Sequence, residues 1–149
     1  MTERRSEDLR LWADRRLVMR ASPIHGVGTF ATEPVAAGEV LTRVSGGLFV
    51  SASQRATGMD GLATEVYAED QIGPDLFRVW PKFIDYHFNH SCDASVVESA
   101  DDGTQVAARD IAAGEELTID YLFQAGGRWP DHPCRCGSSV CRNPVVDGA

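Results

Sequence analysis

Lysine is almost missing from this chain. There is one, Lys82, against thirteen arginines among 149 residues, so modification of its own lysine side chains has a single internal target. Long apolar runs are missing too, and nothing approaches the ~18 residues of a membrane span. The first twenty residues, MTERRSEDLRLWADRRLVMR, are charged throughout and lack the apolar centre of a signal peptide. These absences lead to the expectation of a cytoplasmic protein with no membrane partner. Thiols stay reduced in that compartment, so the four cysteines read as metal ligands in preference to disulfides. A basic face is also lacking: the formal net charge of −8 argues against direct nucleic-acid binding through phosphates and suits a basic partner. Scarce lysine beside abundant Ala, Gly and Val points to a GC-rich, bacterial source. Nothing in the composition bears on oligomeric state.

What is present describes an ordinary globular chain, 43% hydrophobic and 24% charged, long enough for one domain with a sizeable core. Residues 6–16 read as a short helix, with Ser6 as N-cap and Leu9, Leu11 and Trp12 as a partial apolar face. From Leu17 onward the pattern changes to short β-like runs: LVMRA, GTFAT, EVLTRV, GLFVS, TEVYA, LFRVW, SVVES, TQVAAR and LTID. SADDGT, between two of them, reads as a hairpin turn. Strands this short and numerous predict a mostly β fold of small curled sheets. Two stretches echo each other, PVAAGEVL (34–41) and DIAAGEELT (110–118), and a glycine-containing turn feeding a strand accounts for both without duplication.

Three cysteines, Cys134, Cys136 and Cys141, form a C-x-C-x4-C segment, with Gly137 letting the backbone fold tightly. A structural zinc site takes four ligands, usually thiolates about 2.3 Å from the ion. Cys92 completes a four-thiolate set and uses every cysteine in the chain. The alternative is an independent knuckle with His132 as fourth ligand and Cys92 as a buried apolar thiol.

Three further stretches fall into one pattern with that trio: SPIHGVGTFAT (22–32) with its Gly-x-Gly, FNHSC (88–92), and GEELTIDY (114–121) ending in Asp-Tyr. In this order and spacing, over residues 15–143, the sequence resembles the SET-domain protein-lysine methyltransferases with a post-SET zinc segment. The resemblance implies small curled β-sheets around a pseudoknot, in which the Asn-His-Ser-Cys and Asp-Tyr segments are threaded together. It divides the chain into an extension (1–16), a SET domain (17–124), and a zinc-binding post-SET segment with tail (125–149). It implies S-adenosylmethionine as cofactor, held against Gly26, Val27, Gly28, Tyr86, Asn89 and His90, the histidine acting largely through its backbone. It also implies structural Zn2+ on Cys92, Cys134, Cys136 and Cys141, and a catalytic role for Tyr121. Trp129, just before the cysteines, is a further candidate for covering the cofactor. Phe30, Phe88 and Phe123 are candidates for the substrate channel or the core.

The activity implied is methyl transfer to a lysine side chain of a basic protein or peptide. Alternatives are a small amine or peptide metabolite as acceptor, or a degenerate module that binds without turnover. The chain departs from the family pattern in places. Asp93-Ala94-Ser95 stands where Asp-Pro-Asn is usual, Tyr86 where arginine is frequent, and Ile119 where an aromatic often helps set the number of methyl groups. A pre-SET cysteine cluster is absent, and the insert at 52–80 is short.

Overall fold

The computed structural model describes residues 5–56, 67–99, 103–123 and 133–142; Trp129 and His132 lie outside them. Ten strands occur among the described residues: β1 Arg5–Ala13, β2 Leu17–Ala21, β3 Val27–Ala31, β4 Val40–Val50, β5 Tyr67–Gly73, β6 Leu76–Pro81, β7 Asn89–His90, β8 Val96–Ser99, β9 Thr104–Ala107 and β10 Glu116–Ile119. Among the described residues helix is confined to α1 (Ala52–Ala56) and to 3-10 turns at Ile84–His87 and Tyr121–Phe123. The strand order is β2-β3-β10-β8-β9-β4-β6-β5, with β1 added to β4 and β7 to β10. The mostly β, curled-sheet expectation holds.

Two expectations fail locally. Residues 6–16 do not form a helix; β1 runs antiparallel to β4 from Arg5↔Phe49 to Ala13↔Thr42. Leu9, Leu11 and Trp12 are 39%, 38% and 48% exposed, so they supply no buried stripe of the kind that stabilises a short helix. The open edge of β4 offers a full ladder of backbone hydrogen bonds instead. EVLTRV and GLFVS are likewise not two strands but halves of β4. Gly46 and Gly47 lie inside it with φ of 72° and 114°, conformations open to glycine. A Cβ at Gly46 would overlap the Asp8 carbonyl, so the glycine is needed where β1 bulges across the kink. β8 and β9 pair antiparallel, with Ser99 opposite Thr104 and Gly103 at φ 69°; residues 100–102 of the expected turn lie outside the described residues.

The two AAGE turns meet each other. Val35 and Ile111 exchange backbone hydrogen bonds of 2.9 and 2.8 Å. Each turn is closed by its own glutamate: Ala36 N donates to Glu39 Oε2 at 2.7 Å, and Ala112 N to Glu115 Oε2 at 2.8 Å. Arg16 ties the first turn to β2, donating to both Asp14 oxygens at 2.9 Å, to Pro34 O at 2.9 Å and to Glu39. The Arg16 hydrogen bonds hold the Asp14 carboxyl below its ordinary value. A carboxyl depressed on folding contributes stability that is complete above its unfolded pKa and lost as pH falls through the lower folded value. Arg16→Met is therefore expected to lower the melting temperature at pH 7. The deficit relative to wild type should shrink as pH falls below the ordinary aspartate value of 3.8, read by thermal unfolding across pH.

β10 organises the site. It pairs antiparallel with β3 (Leu117↔Thr29) and parallel with β7 (Thr118↔Asn89, Ile119↔His90) and β8 (Ile119↔Val96). Ile119 is thus flanked by His90 on one side and Val96 on the other, and the chain between them wraps round β10. This is the threading that the resemblance implied, and an exception to the usual rule that connections do not thread loops. Ser95, fully buried, holds it: Thr118 N donates to Ser95 Oγ at 3.1 Å, Ser95 N approaches Thr118 Oγ1 at 3.4 Å, and Ser91 N donates to Ile119 O at 3.1 Å. The hydroxyl here supplies the local bonds that the Asp-Ala-Ser departure put in question. Leu117, Ile119, Phe88 and Val96 pack in the main core with Leu41 and Ile111, while Tyr121 lies at its margin. Phe88 and Ile119 are therefore core residues.

Candidate active site and metal centre

The Gly-x-Gly loop lies against Asn89. Its amide nitrogen donates to His25 O at 2.9 Å and Val27 O at 3.2 Å, and lies 2.9 Å from Glu116 Oε2. Glu116 also accepts from Ser22 Oγ at 2.8 Å. Ser22 and Glu116 were not singled out from the sequence, although Glu116 sits within the quoted GEELTIDY. Their role emerges only where β10 and β3 meet. A Cβ on Gly28 would overlap the Glu116 carboxylate and stand 3.1 Å from Asn89 Nδ2. Because Ser22 and Asn89 both hold that carboxylate, it has little room to yield. Gly28→Ala is expected to cost about 1–3 kcal/mol of stability, read by denaturant unfolding. By contrast, Gly26 has φ 46° with nothing near its missing Cβ, and the Val27 side chain is exposed. One face of the loop is packed and the other open.

Tyr121 follows β10. Its backbone N–H donates to His90 Nδ1 at 3.1 Å and its hydroxyl donates to Phe88 O at 3.1 Å. Burial raises its pKa, reinforced by the neighbouring Tyr86 and Glu116, so the phenol keeps its proton at neutral pH. Tyr86, on the 84–87 turn, is exposed, with the Lys82 ammonium 4.1 Å from its ring centroid. Lys82 is thus stacked on the aromatic face of Tyr86.

Cys92, Cys134, Cys136 and Cys141 come together, with their sulfurs all within 4.8 Å of one another, and none is in a disulfide. Four thiolates on a tetrahedral ion at about 2.3 Å would be about 3.8 Å apart, so the donor set suits zinc in type, number and spacing. Two of the thiols are shifted in opposite directions. Burial pushes Cys134 up to about 12. Cys136 falls to about 7, its burial outweighed by hydrogen bonds from neighbouring backbone and thiol groups. A dication would remove that inequality, since ligation needs all four deprotonated. The tail is also fastened by Arg142, whose N–H points to Cys92 Sγ at 3.4 Å and whose guanidinium donates to Asp120 Oδ2 at 2.5 Å. Arg142 carried no sequence signal beyond adjacency to Cys141, whereas Asp120 belongs to the quoted Asp-Tyr pair but was given no role of its own. Of the residues singled out from the sequence, Gly26, Val27, Gly28 and Asn89 share one face, and His90, Tyr121 and the cysteines the adjoining one. Tyr86 stands near Tyr121, and Phe30 is half-buried under Arg20, whose guanidinium lies 5.9 Å from its ring centroid.

The SET domain profile matches residues 26–122. The H3 lysine-4-specific histone-lysine N-methyltransferase of Yarrowia lipolytica is 33% identical over 137 residues, covering 81% of this chain and 11% of that protein. Putative histone-lysine N-methyltransferase 1 of Plasmodium falciparum is 30% identical, covering 85% of this chain and 2% of its own length. Human histone-lysine N-methyltransferase 2B is 31% identical, with 81% and 5% covered. The chain thus spans about a tenth or less of these curated relatives. All three are eukaryotic and lend nothing to a bacterial source. The chain belongs to the SET-domain family.

Proposed function

We propose that this chain is an S-adenosylmethionine-dependent protein-lysine N-methyltransferase whose acceptor is a lysine in a basic protein or peptide. The observation that carries this reading is the convergence on β10 of an open Gly-x-Gly loop, the Asn89–Glu116 pair and the Tyr121 hydroxyl. The relatives' names point to the same reaction class. The cofactor fits the residues present: the open face at Gly26 and Val27 can receive a ligand backbone-first, and the Glu116 carboxylate complements a cationic one. When bound, the cofactor supplies a methyl carbon already activated by positive sulfur.

The chain's own task is to present a neutral, oriented amine. Lysine has a pKa of about 10.4, and bringing it near neutrality costs about 4 kcal/mol. An apolar, water-poor approach disfavours the ammonium. Tyr121 donates its proton to Phe88 O, so its oxygen remains an acceptor. An amine N–H bonded there would keep its lone pair out of that hydrogen bond and free to react. Transfer would make the N–C bond as the donor's S–C bond breaks, the sulfur leaving with the electron pair as a neutral thioether and the new ammonium losing its proton to solvent. Tyr121 does not act as a base, since its proton is held more tightly than in free tyrosine. The acidic balance of the chain suits a basic substrate.

The test uses methyl-labelled S-adenosylmethionine with a lysate of basic proteins, resolving products by mass. Label on lysine side chains of proteins supports the proposal. Label only in small molecules would replace it with a metabolite acceptor. Cofactor binding without any transfer would favour a binding module. Lys82→Arg separates transfer to substrates from transfer to the chain itself, which has no other lysine.

A further inference from the structure

We propose that the His90 side chain is a positioning residue that joins the four-cysteine set to Tyr121. The inference rests on the reading of Tyr121 given above, and adds to it a physical connection between the metal site and that residue's placement.

The His90 side chain is 3% exposed and touches both sites at once. On one side Tyr121 N–H donates to its Nδ1 at 3.1 Å. On the other its Nε2 lies 3.4 Å from Cys92 Sγ. A neutral imidazole carries one proton; with Nδ1 accepting, that proton is on Nε2 and is directed at the sulfur. Asp120 Oδ1, 3.8 Å from Nδ1, is too distant for a hydrogen bond. An accepting Nδ1 has no proton to offer it, so the contact is not an ion pair. Asp120 is instead engaged by Arg142.

The ring is rigidly placed. His90 sits in β7 opposite Ile119, and its ring centroid is 5.2 Å from that of Tyr121. N–H donors to a metal-bound thiolate orient it and draw off charge, as supporting hydrogen bonds do at metal sites generally. Cys92 has a second such donor in Arg142 N–H, and Arg142 also grips Asp120, the residue before Tyr121. The metal-bound sulfur and the active-site tyrosine are thereby linked along two short paths. The His90 path ends on the Tyr121 backbone, where a shift would displace the hydroxyl from its place below Phe88 O.

The test begins on the wild-type full chain loaded with zinc and labelled with 15N-histidine. Long-range proton–nitrogen correlation is expected to show His90 as the Nε2–H tautomer; the Nδ1–H tautomer would overturn the proposal. Two near-isosteric variants then divide the contacts. His90→Asn keeps an acceptor near Nδ1 but cannot reach the sulfur; His90→Gln reaches the sulfur but displaces the acceptor. In Co2+-loaded protein, His90→Asn should move the thiolate-to-cobalt band to longer wavelength and weaken metal binding on the order of tenfold; His90→Gln should do neither. With labelled substrate, His90→Gln should lower kcat on the order of tenfold with little change in KM for the cofactor. That loss should vanish in a Tyr121→Phe background. An unmoved cobalt band in His90→Asn, or losses that multiply in the double variant, would overturn the connection. The tautomer and the cobalt band are read without substrate. An inactive wild type with both as expected therefore supports the His90 contact while refuting the proposed function.

Discussion

Cys92→Ala is expected to yield a protein that no longer retains one equivalent of zinc on dialysis, with metal affinity reduced at least on the order of a hundredfold. The reason lies in where the ligands come from. Three sulfurs belong to residues 134–141 and the fourth to the loop that wraps round β10, so an ion held by all four would crosslink the tail to the threaded centre. Removing Cys92 opens the coordination sphere and also frees the Arg142 N–H that meets its sulfur. The tail should then detach, and cofactor and methyl transfer should both weaken on the order of tenfold or more. The core contains neither Cys92 nor Cys136, so the β-sheet should stay folded and its circular dichroism should change little. Chelation of the wild type should reproduce the variant. A Cys92→Ala protein holding one zinc with unchanged affinity would show that the trio finds its fourth ligand elsewhere.

Tyr121→Phe is expected to lower kcat by about a hundredfold or more while S-adenosylhomocysteine affinity stays within a few-fold. Phenylalanine keeps the ring at the core margin and the backbone N–H to His90, and removes only the oxygen. On the proposed mechanism the variant loses the acceptor that orients the amine; losses of this size are usual where positioning makes up much of a barrier. The pH dependence separates this role from that of a base. Burial raises the tyrosine pKa above its ordinary value of 10.0, so the wild-type rate should rise with pH as the substrate amine deprotonates, with no additional limb from Tyr121 below that value. Phenylalanine should lower the whole profile without changing its shape. A variant with wild-type kcat, or one that loses an ionisation from the profile, would remove the role argued here.

Much of the site was legible in the chain because it is written in residues with few alternative uses. Four cysteines, three of them within a span of eight residues, read most simply as metal ligands. Gly26, Gly28, Asn89 and Tyr121 became readable together, since none is distinctive alone. The β character was legible from short runs of β-branched and aromatic residues between glycines, and the β8–β9 pairing from the two runs that flank Asp-Asp-Gly.

Tertiary structure decided the rest. Residues 6–16 carry a weak helical pattern, and only the free edge of β4 makes them a strand. Gly46 and Gly47 look like a break, yet with β1 lying across both halves the strand continues through them at positive φ. Glu116 is one acidic residue among twenty-two until β10 brings it to Gly28 and Asn89. His90 shows the limit most clearly. Local sequence places it two residues before a metal ligand, but its second contact, Tyr121, is thirty-one residues away and becomes a neighbour only because β10 is threaded beside β7. Composition and spacing determine which chemical groups the chain possesses and which of them can meet within a turn. Contacts between distant segments depend on strand register and on the direction of threading, which are set by the packing of the whole core.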